Sequence, residues 1–163
     1  MRDTLAAMSV LEFRLAGPSE YPALRAMILE SFAPITWYRK VDEKMGPLNG
    51  HDWRARWDLR LDKVFATQIL LVGEAEGNVV AAATGTVNDA TKLGFVDLLA
   101  VDVRQQGKGY GRAMLRGMLG HLRTLGMQHV YLECLTDNDA GNALYASEGW
   151  QIVASANFWF TKL

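Results

Sequence analysis

Residues 98–112 read LLAVDVRQQGKGYGR, an apolar run that leads into a stretch of glycines and basic residues. The run is rich in leucine and valine and predicts a β-strand. Beyond it, apolar residues recur at the spacing of one helix face, at Leu115, Met118, Leu119 and Leu122. The glycines therefore lie where a strand ends and a helix begins. Because a helix N-terminus leaves backbone N–H groups unpaired and favours negative charge, this turn is predicted to bind phosphate oxygens.

Two common phosphate-binding motifs do not match the turn. A P-loop has a glycine five residues before its Gly-Lys pair and Ser or Thr after the lysine, but these positions hold Asp102 and Gly109. A dinucleotide-binding fingerprint that starts at Gly107 needs glycine where Arg112 stands. The structural alternative is a tight strand-to-helix turn with no ligand.

The same turn begins like the RNA-recognition-motif signature, with Lys108, Gly109, Tyr110 and Gly111 in its first four positions. The fifth position of that signature is aromatic, and the segment continues as a strand that stacks bases. Here Arg112 is fifth and helical spacing follows. A small RNA-binding module is therefore an alternative hypothesis that requires base stacking on Tyr110.

The pattern that fits is Gln, two residues, Gly, one residue, Gly, at Gln106, Gly109 and Gly111. It resembles the pyrophosphate-binding motif of the GNAT superfamily of N-acetyltransferases. A second block resembles the same superfamily, with Asn138, Gly141, Leu144, Tyr145, Gly149 and Trp150 at the usual spacing. Gly141 stands where alanine is usual and Trp150 where phenylalanine is usual. The resemblance is strong over residues 98–150 and weak before residue 68.

The resemblance implies that acetyl-CoA is the co-substrate and that its pantetheine lies along the backbone of the strand ending at Val101. The strand that carries Glu133, predicted over residues 128–135, then diverges to admit it. A backbone N–H near Leu99 stabilises the oxyanion formed when an amine attacks the thioester. The pyrophosphate contacts the glycine turn. The implied cofactor-binding residues are Leu99, Ala100, Val101, Gln106, Gly107, Lys108, Gly109, Tyr110, Gly111, Arg112 and Asn138.

Three side chains are candidates for proton transfer. Tyr145 matches the superfamily's acid, the phenol near the CoA sulfur, and its structural alternative is a core tyrosine. Glu133 is the preferred base, because it projects away from the apolar face of its strand and matches the glutamate of some ribosomal-protein acetyltransferases in the superfamily. Asp97, at the start of the cofactor strand, and a water relay are the other base candidates.

Composition and charge argue against several other classes of protein. The chain has 163 residues, of which 50% are hydrophobic and 21% charged, and this predicts one globular domain over residues 1–163. Lys plus Arg number 17 and Asp plus Glu 18, so no overall field attracts nucleic acid or a membrane. No run approaches the roughly 20 apolar residues of a membrane span, and residues 1–13 lack a signal peptide's long apolar stretch. A single cysteine fits a cytoplasmic protein.

Charge is nevertheless uneven along the chain. Residues 103–132 contain no Asp or Glu but five basic side chains. Lys108, Arg112 and Arg116 follow one another at i+4 around the predicted helix start, where a pyrophosphate and a ribose phosphate need them.

The order of elements predicts an α/β (α+β) fold of the GNAT type, with helices on both faces of one twisted sheet. That sheet is mixed, mostly antiparallel, and has about six to seven strands. A helix capped by Ser19 and a helix capped by Asp52 flank an irregular loop over residues 33–49 with one short helical turn. Residues 151–163 are predicted to form a hairpin that pairs across a dimer or closes its own sheet, which leaves monomer and homodimer open.

Other reactive residues point to no separate chemistry. Cys134 as an acyl-enzyme nucleophile requires an activating histidine and a lowered pKa, and its apolar strand face favours an inert thiol. His51, His121 and His129 are too scattered for a metal site, so no metal is expected.

The acceptor amine is not identified by any motif. The superfamily builds its acceptor pocket in the region around residues 33–66, where Trp37 and Tyr38 are candidates to line it while Trp53 and Trp57 are interpreted as helix core. Charged residues of both signs are present: Asp42, Glu43, Asp52 and Asp58 for a cationic amine, and Arg39, Arg54 and Arg56 for an acidic one. A catalytically silent CoA-binding sensor or structural protein is the alternative function.

Overall fold

The computed structural model describes residues 10–163, so the prediction that the N-terminus lacks a signal peptide falls largely on residues 1–9, outside the described residues. Within the described part, five strands form one sheet in the order β1-β2-β3-β4-β5. The elements in chain order are β1 (Glu12–Leu15), α1 (Tyr21–Phe32), α2 (Trp37–Met45), α3 (Trp53–Thr67), β2 (Ile69–Ala75), β3 (Asn78–Asn88), β4 (Leu93–Val101), α4 (Tyr110–Thr124), β5 (His129–Leu132) and α5 (Asp139–Ser147).

The sheet is mixed and mostly antiparallel, as predicted. Strands β1 to β4 form an antiparallel meander, and β5 pairs parallel with β4. The β2–β3 turn has positive φ at Glu76 (53°) and Gly77 (76°), a conformation whose twist matches that of the two strands.

A separate hydrophobic cluster covers each face of the sheet. Helix α4 buries Met118 against one face. Helices α1 and α3 bury Ile28 and Leu61 against the other. Trp57 of α3 is buried, as predicted, and donates its indole N–H to the hydroxyl of Thr36 at 2.7 Å, which satisfies its polar atom. Strand β4 is thus held between α4 and the α1/α3 pair.

Strand β4 contains a β-bulge that bends it. The pairing register between β3 and β4 shifts between Thr84 and Gly85, and Asp97 is the extra residue. A Cβ on Gly85 would lie 2.3 Å from the carbonyl oxygen of Phe95. The bulge therefore depends on glycine at this position.

Two helix predictions in the N-terminal half are wrong. Nine residues of the predicted loop over 33–49 form α2, because the Thr36 hydroxyl accepts the Tyr38 N–H (3.3 Å) and Gly46, at φ 75°, ends the helix. Helix α1 begins at Tyr21 rather than after Ser19, because residues Pro18–Glu20 form a 3-10 turn.

The predicted C-terminal hairpin is also wrong, so the described sheet has five strands and not six or seven. Residues 151–163 contain no strand. The ring of Phe158 instead stacks on Trp37 of α2, with centroids 4.9 Å apart. Side-chain packing on α2 therefore positions this segment.

No helix within residues 10–163 is both long enough and apolar enough to cross a membrane.

Candidate active site

Strands β4 and β5 diverge halfway along β4. Their parallel pairing ends at Val96 and Leu132, while residues 97–101 continue past the end of β5. On that side, residues 97–101 pair with no other strand among residues 10–163. The divergence follows the bulge at Asp97 and leaves backbone N–H and C=O groups of β4 open to a ligand. This is the opening that the resemblance implied.

The side chains of this open segment are held by the two hydrophobic clusters. Ala100 is buried on the α1/α3 side, and Leu99 and Val101 pack on the α4 side. Because the Asp102 N–H donates to Val80 of β3, the alternation along the strand also turns the backbone groups of Ala100 to β3 and those of Leu99 and Val101 to the open side. Leu99 and Val101 can therefore contact a ligand through their backbone, whereas the backbone of Ala100 belongs to the sheet.

The glycine turn lies directly beyond the open segment. A 3-10 turn at Val103–Gln105 leads to Gly107 and Gly109, which have φ values of 81° and 83°. A Cβ at either glycine would meet no atom within 4 Å, so these glycines serve backbone conformation rather than close packing. Gly109 caps α4, whose first amides have no partner within the helix. The turn thus points a helix N-terminus toward the open edge of β4, an arrangement suited to phosphate.

The side chains of the turn differ in how free they are to contact a ligand. Lys108 donates to Gln105 Oε1 at 2.7 Å and otherwise keeps its charge for a ligand. Gln106 reaches back to the carbonyl oxygen of Val101 at 3.3 Å. Tyr110 is only 7% exposed and lies in the α4 cluster, so it cannot stack on a base as the RNA-binding alternative requires.

Two of the predicted phosphate-binding arginines converge on an acidic residue that the sequence reasoning missed. Arg112 forms an ion pair with Glu148 and donates to the Ser147 hydroxyl at 3.0 Å. Arg116 Nε reaches the other oxygen of Glu148 at 2.8 Å. Arg116 first, and Arg112 after it, hold the pKa of Glu148 below its usual range. Glu148 therefore ties the end of α5 to the start of α4.

Helix α5 carries the predicted acid. Asn138 caps it by accepting the Gly141 N–H at 3.1 Å, so one predicted cofactor residue has a structural role here. The Tyr145 ring lies 6.0 Å from that of Trp150. Burial first, and the Cys134 sulfur second, raise the pKa of Tyr145 to about 12. Its hydroxyl therefore stays protonated throughout the neutral range.

The two candidate bases differ in their surroundings. Asp97 accepts from Arg60 Nη2 at 2.6 Å and from Gln68 Nε2 at 2.8 Å. The Oε1 of Gln68 and the hydroxyl of Thr84 are buried without a partner among the described residues, and such atoms favour an ordered water. Glu133 is exposed just beyond the end of β5, and no side chain in residues 10–163 pairs with it.

Cys134 is half-buried, and burial raises the pKa of its thiol. A covalent acyl-enzyme needs the opposite shift, so this residue does not suit the nucleophile role. Within residues 10–163 there is no group of His, Cys, Asp and Glu side chains that could hold a metal ion.

An apolar cavity of about 320 Å³ lies between α2, α3 and the C-terminal segment. Trp37 and Tyr38 line it, as predicted for an acceptor pocket, whereas Trp53 packs on the α1/α3 cluster. Arg56, a charged candidate from the sequence, also lines it. The sequence did not indicate Val41, Leu48 and Leu59, and the predicted hairpin obscured the contribution of Phe160.

The acidic residues expected to attract a cationic acceptor are engaged within the protein. The arginines expected to attract an acidic acceptor are engaged as well. Arg56 and Arg39 pair with two of these acidic residues, and Arg54 lies over the Trp53 ring. We expected these charges to be available to an acceptor. This is wrong for Asp42 and Arg56, because they pair with each other and each side chain is only about 15% exposed. The contacts are Asp42 with Arg56, Glu43 with Arg39, Asp58 with Arg25, and Asp52 with the N–H of Ala55.

The mixed sheet, the open β4 edge and the glycine turn together define the N-acetyltransferase class. The chain belongs to the acetyltransferase (GNAT) family, whose model matches residues 34–150. The predicted family is thereby confirmed.

Similarity to individual proteins is partial in sequence and extensive in fold. The chain is 50% identical over 58 residues to the N-alpha-acetyltransferase RimI of Mycobacterium tuberculosis (36% of this chain, 35% of that protein). It is 41% identical over 63 residues to the mycothiol acetyltransferase of Kocuria rhizophila (39% and 21%). These matches span about a third and a fifth of the two relatives. The structure of the aminoglycoside N-acetyltransferase AAC(6')-Iy with CoA has a TM-score of 0.66 at 10% identity, covering 98% of this chain and 99% of that one, which supports the fold.

Proposed function

We propose that this protein transfers the acetyl group of acetyl-CoA to a primary amine by direct attack, with both substrates bound together. The observation that carries the proposal is the open edge of β4 over residues 97–101, which runs into the glycine turn at the start of α4. An extended amide-containing group and a phosphate group suit these two neighbouring sites.

The residues present fit such a co-substrate. The backbone groups of Leu99 and Val101 on the open side of β4 offer strand-like hydrogen bonds. The first amides of α4 follow the turn in which Gly107 and Gly109 have positive φ. When bound, acetyl-CoA supplies an activated acetyl thioester. We expect a backbone N–H near Leu99, two residues after the bulge residue Asp97, to donate to the oxyanion.

Tyr145 serves as the general acid at its hydroxyl. Its raised pKa, about 12, keeps the hydroxyl protonated at neutral pH, so that it is available as a donor to the departing thiolate. Glu133 accepts the proton of the acceptor ammonium at its carboxylate, because it is exposed beside the gap and has no ion-pair partner in the described chain. Asp97, held by Arg60 and Gln68, acts instead through water if Glu133 is not the base.

Acetyl-CoA binding is tested by placing negative charge in the turn. Gly111→Asp puts a carboxylate among the first amides of α4, where a Cβ approaches other side chains no closer than 3.7 Å. An acidic residue in the first turn stabilises a helix, so the variant is expected to keep its thermal stability but to lose measurable acetyl-CoA affinity. Gly120→Asp, on the same helix with no atom within 4 Å of its Cβ, is the matched control.

Catalysis is tested by thiol release from acetyl-CoA with a panel of primary amines. We expect amine-dependent release by the wild type and by Gly120→Asp, and none by Gly111→Asp. Acetyl-CoA binding without release for any amine supports the silent CoA-binding protein instead. Equal affinity of all three proteins for acetyl-CoA contradicts the proposed site.

The single domain over residues 1–163 and the cytoplasmic location stay predictions.

A further inference from the structure

The cavity between α2, α3 and the C-terminal segment is apolar on almost every side. Aromatic and aliphatic side chains form its walls, among them Trp37, Val41, Leu59 and Phe160. Its volume of about 320 Å³ is near the lower end of small-molecule pockets, which run from roughly 300 to 1,000 Å³. It therefore has room for one large apolar side chain.

Helix α2 contacts both the cavity and the loop that follows β5. Lys40 of α2 forms an ion pair with Asp137, which lies in the loop between β5 and α5 that bounds the gap. This contact lowers the pKa of Asp137. On the same helix, Trp37 lines the cavity and stacks on Phe158. Helix α2 thus lines the cavity with Trp37 and contacts the loop that follows β5 with Lys40.

Among residues 10–163, no side chain that lines the cavity is a carboxylate that could hold a second cationic group. The charged side chain in its wall is Arg56, and its guanidinium donates to Asp42 Oδ1 at 2.7 Å and to the carbonyl oxygens of His51 and Tyr38 at 2.8 and 2.9 Å. Asp42 in turn accepts the Trp53 N–H at 2.6 Å. Both members of this pair are satisfied within the protein, so a polycation gains nothing there.

We propose that the acceptor is a monoamine that carries one aromatic or branched aliphatic side chain, with that side chain in the cavity and the amine at the gap. This inference rests on the proposed acetyl transfer and adds its acceptor class. Two sources share this chemistry: a free small amine and the N-terminus of a peptide with a large apolar first residue. Polyamines and aminoglycosides are excluded as preferred acceptors.

A series of amines that differ in their side chains tests this acceptor class. Phenylalaninamide, leucinamide, alaninamide and glycinamide are compared as acceptors with spermidine and kanamycin, and kcat/KM is measured by thiol release. We expect phenylalaninamide and leucinamide to exceed glycinamide roughly ten- to hundredfold, the range for filling an apolar pocket. Phenethylamine and a tetrapeptide beginning with Phe then separate the small-amine source from the peptide source.

Leu59→Arg tests the cavity itself. Leu59 is 62% exposed, so the variant is expected to fold, and the added guanidinium opposes an apolar occupant. Leu15→Arg is the matched control. Leu15 is 57% exposed and lies on β1, the edge strand opposite β5, and it does not line the cavity. We expect the preference for phenylalaninamide over glycinamide to fall at least tenfold in Leu59→Arg and to persist in Leu15→Arg, with the acetyl-CoA Kd unchanged in both.

The outcomes separate this inference from the proposed function. If amines are acetylated but spermidine or kanamycin is preferred, or if Leu59→Arg keeps the preference, the acceptor class is wrong while acetyl transfer stands. If no amine is acetylated, calorimetric binding of phenylalaninamide and glycinamide to the CoA-loaded protein decides. Tighter binding of phenylalaninamide that is lost in Leu59→Arg supports the cavity, and equal or absent binding overturns it.

Discussion

Replacing Tyr145 with phenylalanine tests the acid role with little structural disturbance. The change keeps the ring that faces Trp150 and removes a hydroxyl that has no hydrogen-bond partner among residues 10–163. The free energy of unfolding is therefore expected to change by less than about 0.5 kcal/mol. Acetyl-CoA affinity is expected to stay the same, because its proposed contacts lie on β4 and the glycine turn. The kcat is expected to fall between about tenfold and 10⁴-fold, up to the full value of a general acid.

The raised pKa of Tyr145 adds a pH signature to this loss. With a pKa of about 12, about 99% of the phenol is protonated at pH 10, whereas a tyrosine with an ordinary pKa near 10 is about half protonated there. The ratio of wild-type to Tyr145→Phe rates should therefore stay flat from pH 6 to pH 10. Taking the ratio removes the rise in rate that comes from deprotonation of the acceptor amine, which both proteins share.

Thiol release at saturating acetyl-CoA measures this ratio, and thermal unfolding checks that both proteins are folded. An unchanged kcat removes Tyr145 from the acid role. A ratio that falls with a midpoint near pH 10 keeps the acid role but refutes the argument that burial holds the proton in place.

Three further substitutions test the base, the bulge and the α5 cap. Glu133→Gln is expected to slow turnover chiefly at low pH, where the acceptor amine is most protonated, and an unaltered pH profile moves the base role to Asp97 or water. Gly85→Ala pushes a Cβ to 2.3 Å from the Phe95 carbonyl and should cost about 3 kcal/mol, or about 6–12 °C in Tm, while Gly120→Ala should not lower Tm. Gly141→Ala restores the residue usual in the family but brings a Cβ to 2.6 Å from the capping asparagine of α5, so a lower Tm is expected, and a higher one contradicts this packing.

Local patterns over residues 68–149 were sufficient to predict the elements of that part of the chain. The four apolar residues at helical spacing after Gly109 mark α4, which the structure gives as Tyr110–Thr124. The turn at Glu76 and Gly77 joins β2 and β3 as predicted. The opening of the β4 edge is not visible in such patterns, because it depends on where the pairing of two strands ends. The opening was instead predicted from the resemblance to the GNAT superfamily that Gln106 and Gly111 carry.

The errors occur where long-range contacts decide the structure. Helix α2 lies among prolines and glycines, and its Thr36 cap also serves as acceptor for Trp57 of the next helix. The segment 151–163 alternates like a hairpin, yet Phe158 stacks on a residue more than one hundred positions earlier. Neither contact has a signature at short sequence separation, so the wall of the cavity was beyond local reasoning.

The basic excess over residues 103–132 also has a different meaning in three dimensions. Arg104 pairs with Asp102 just outside that stretch, and Arg112 and Arg116 share Glu148 from α5. Because these guanidiniums already have carboxylate partners, they add less field at the turn than their number indicates. What remains at the N-terminus of α4 is the set of unpaired amides and Lys108, whose partner is the neutral Gln105. Backbone geometry, more than arginine charge, therefore makes this turn suitable for a pyrophosphate, and the two arginines act by fixing the helix that carries Tyr145.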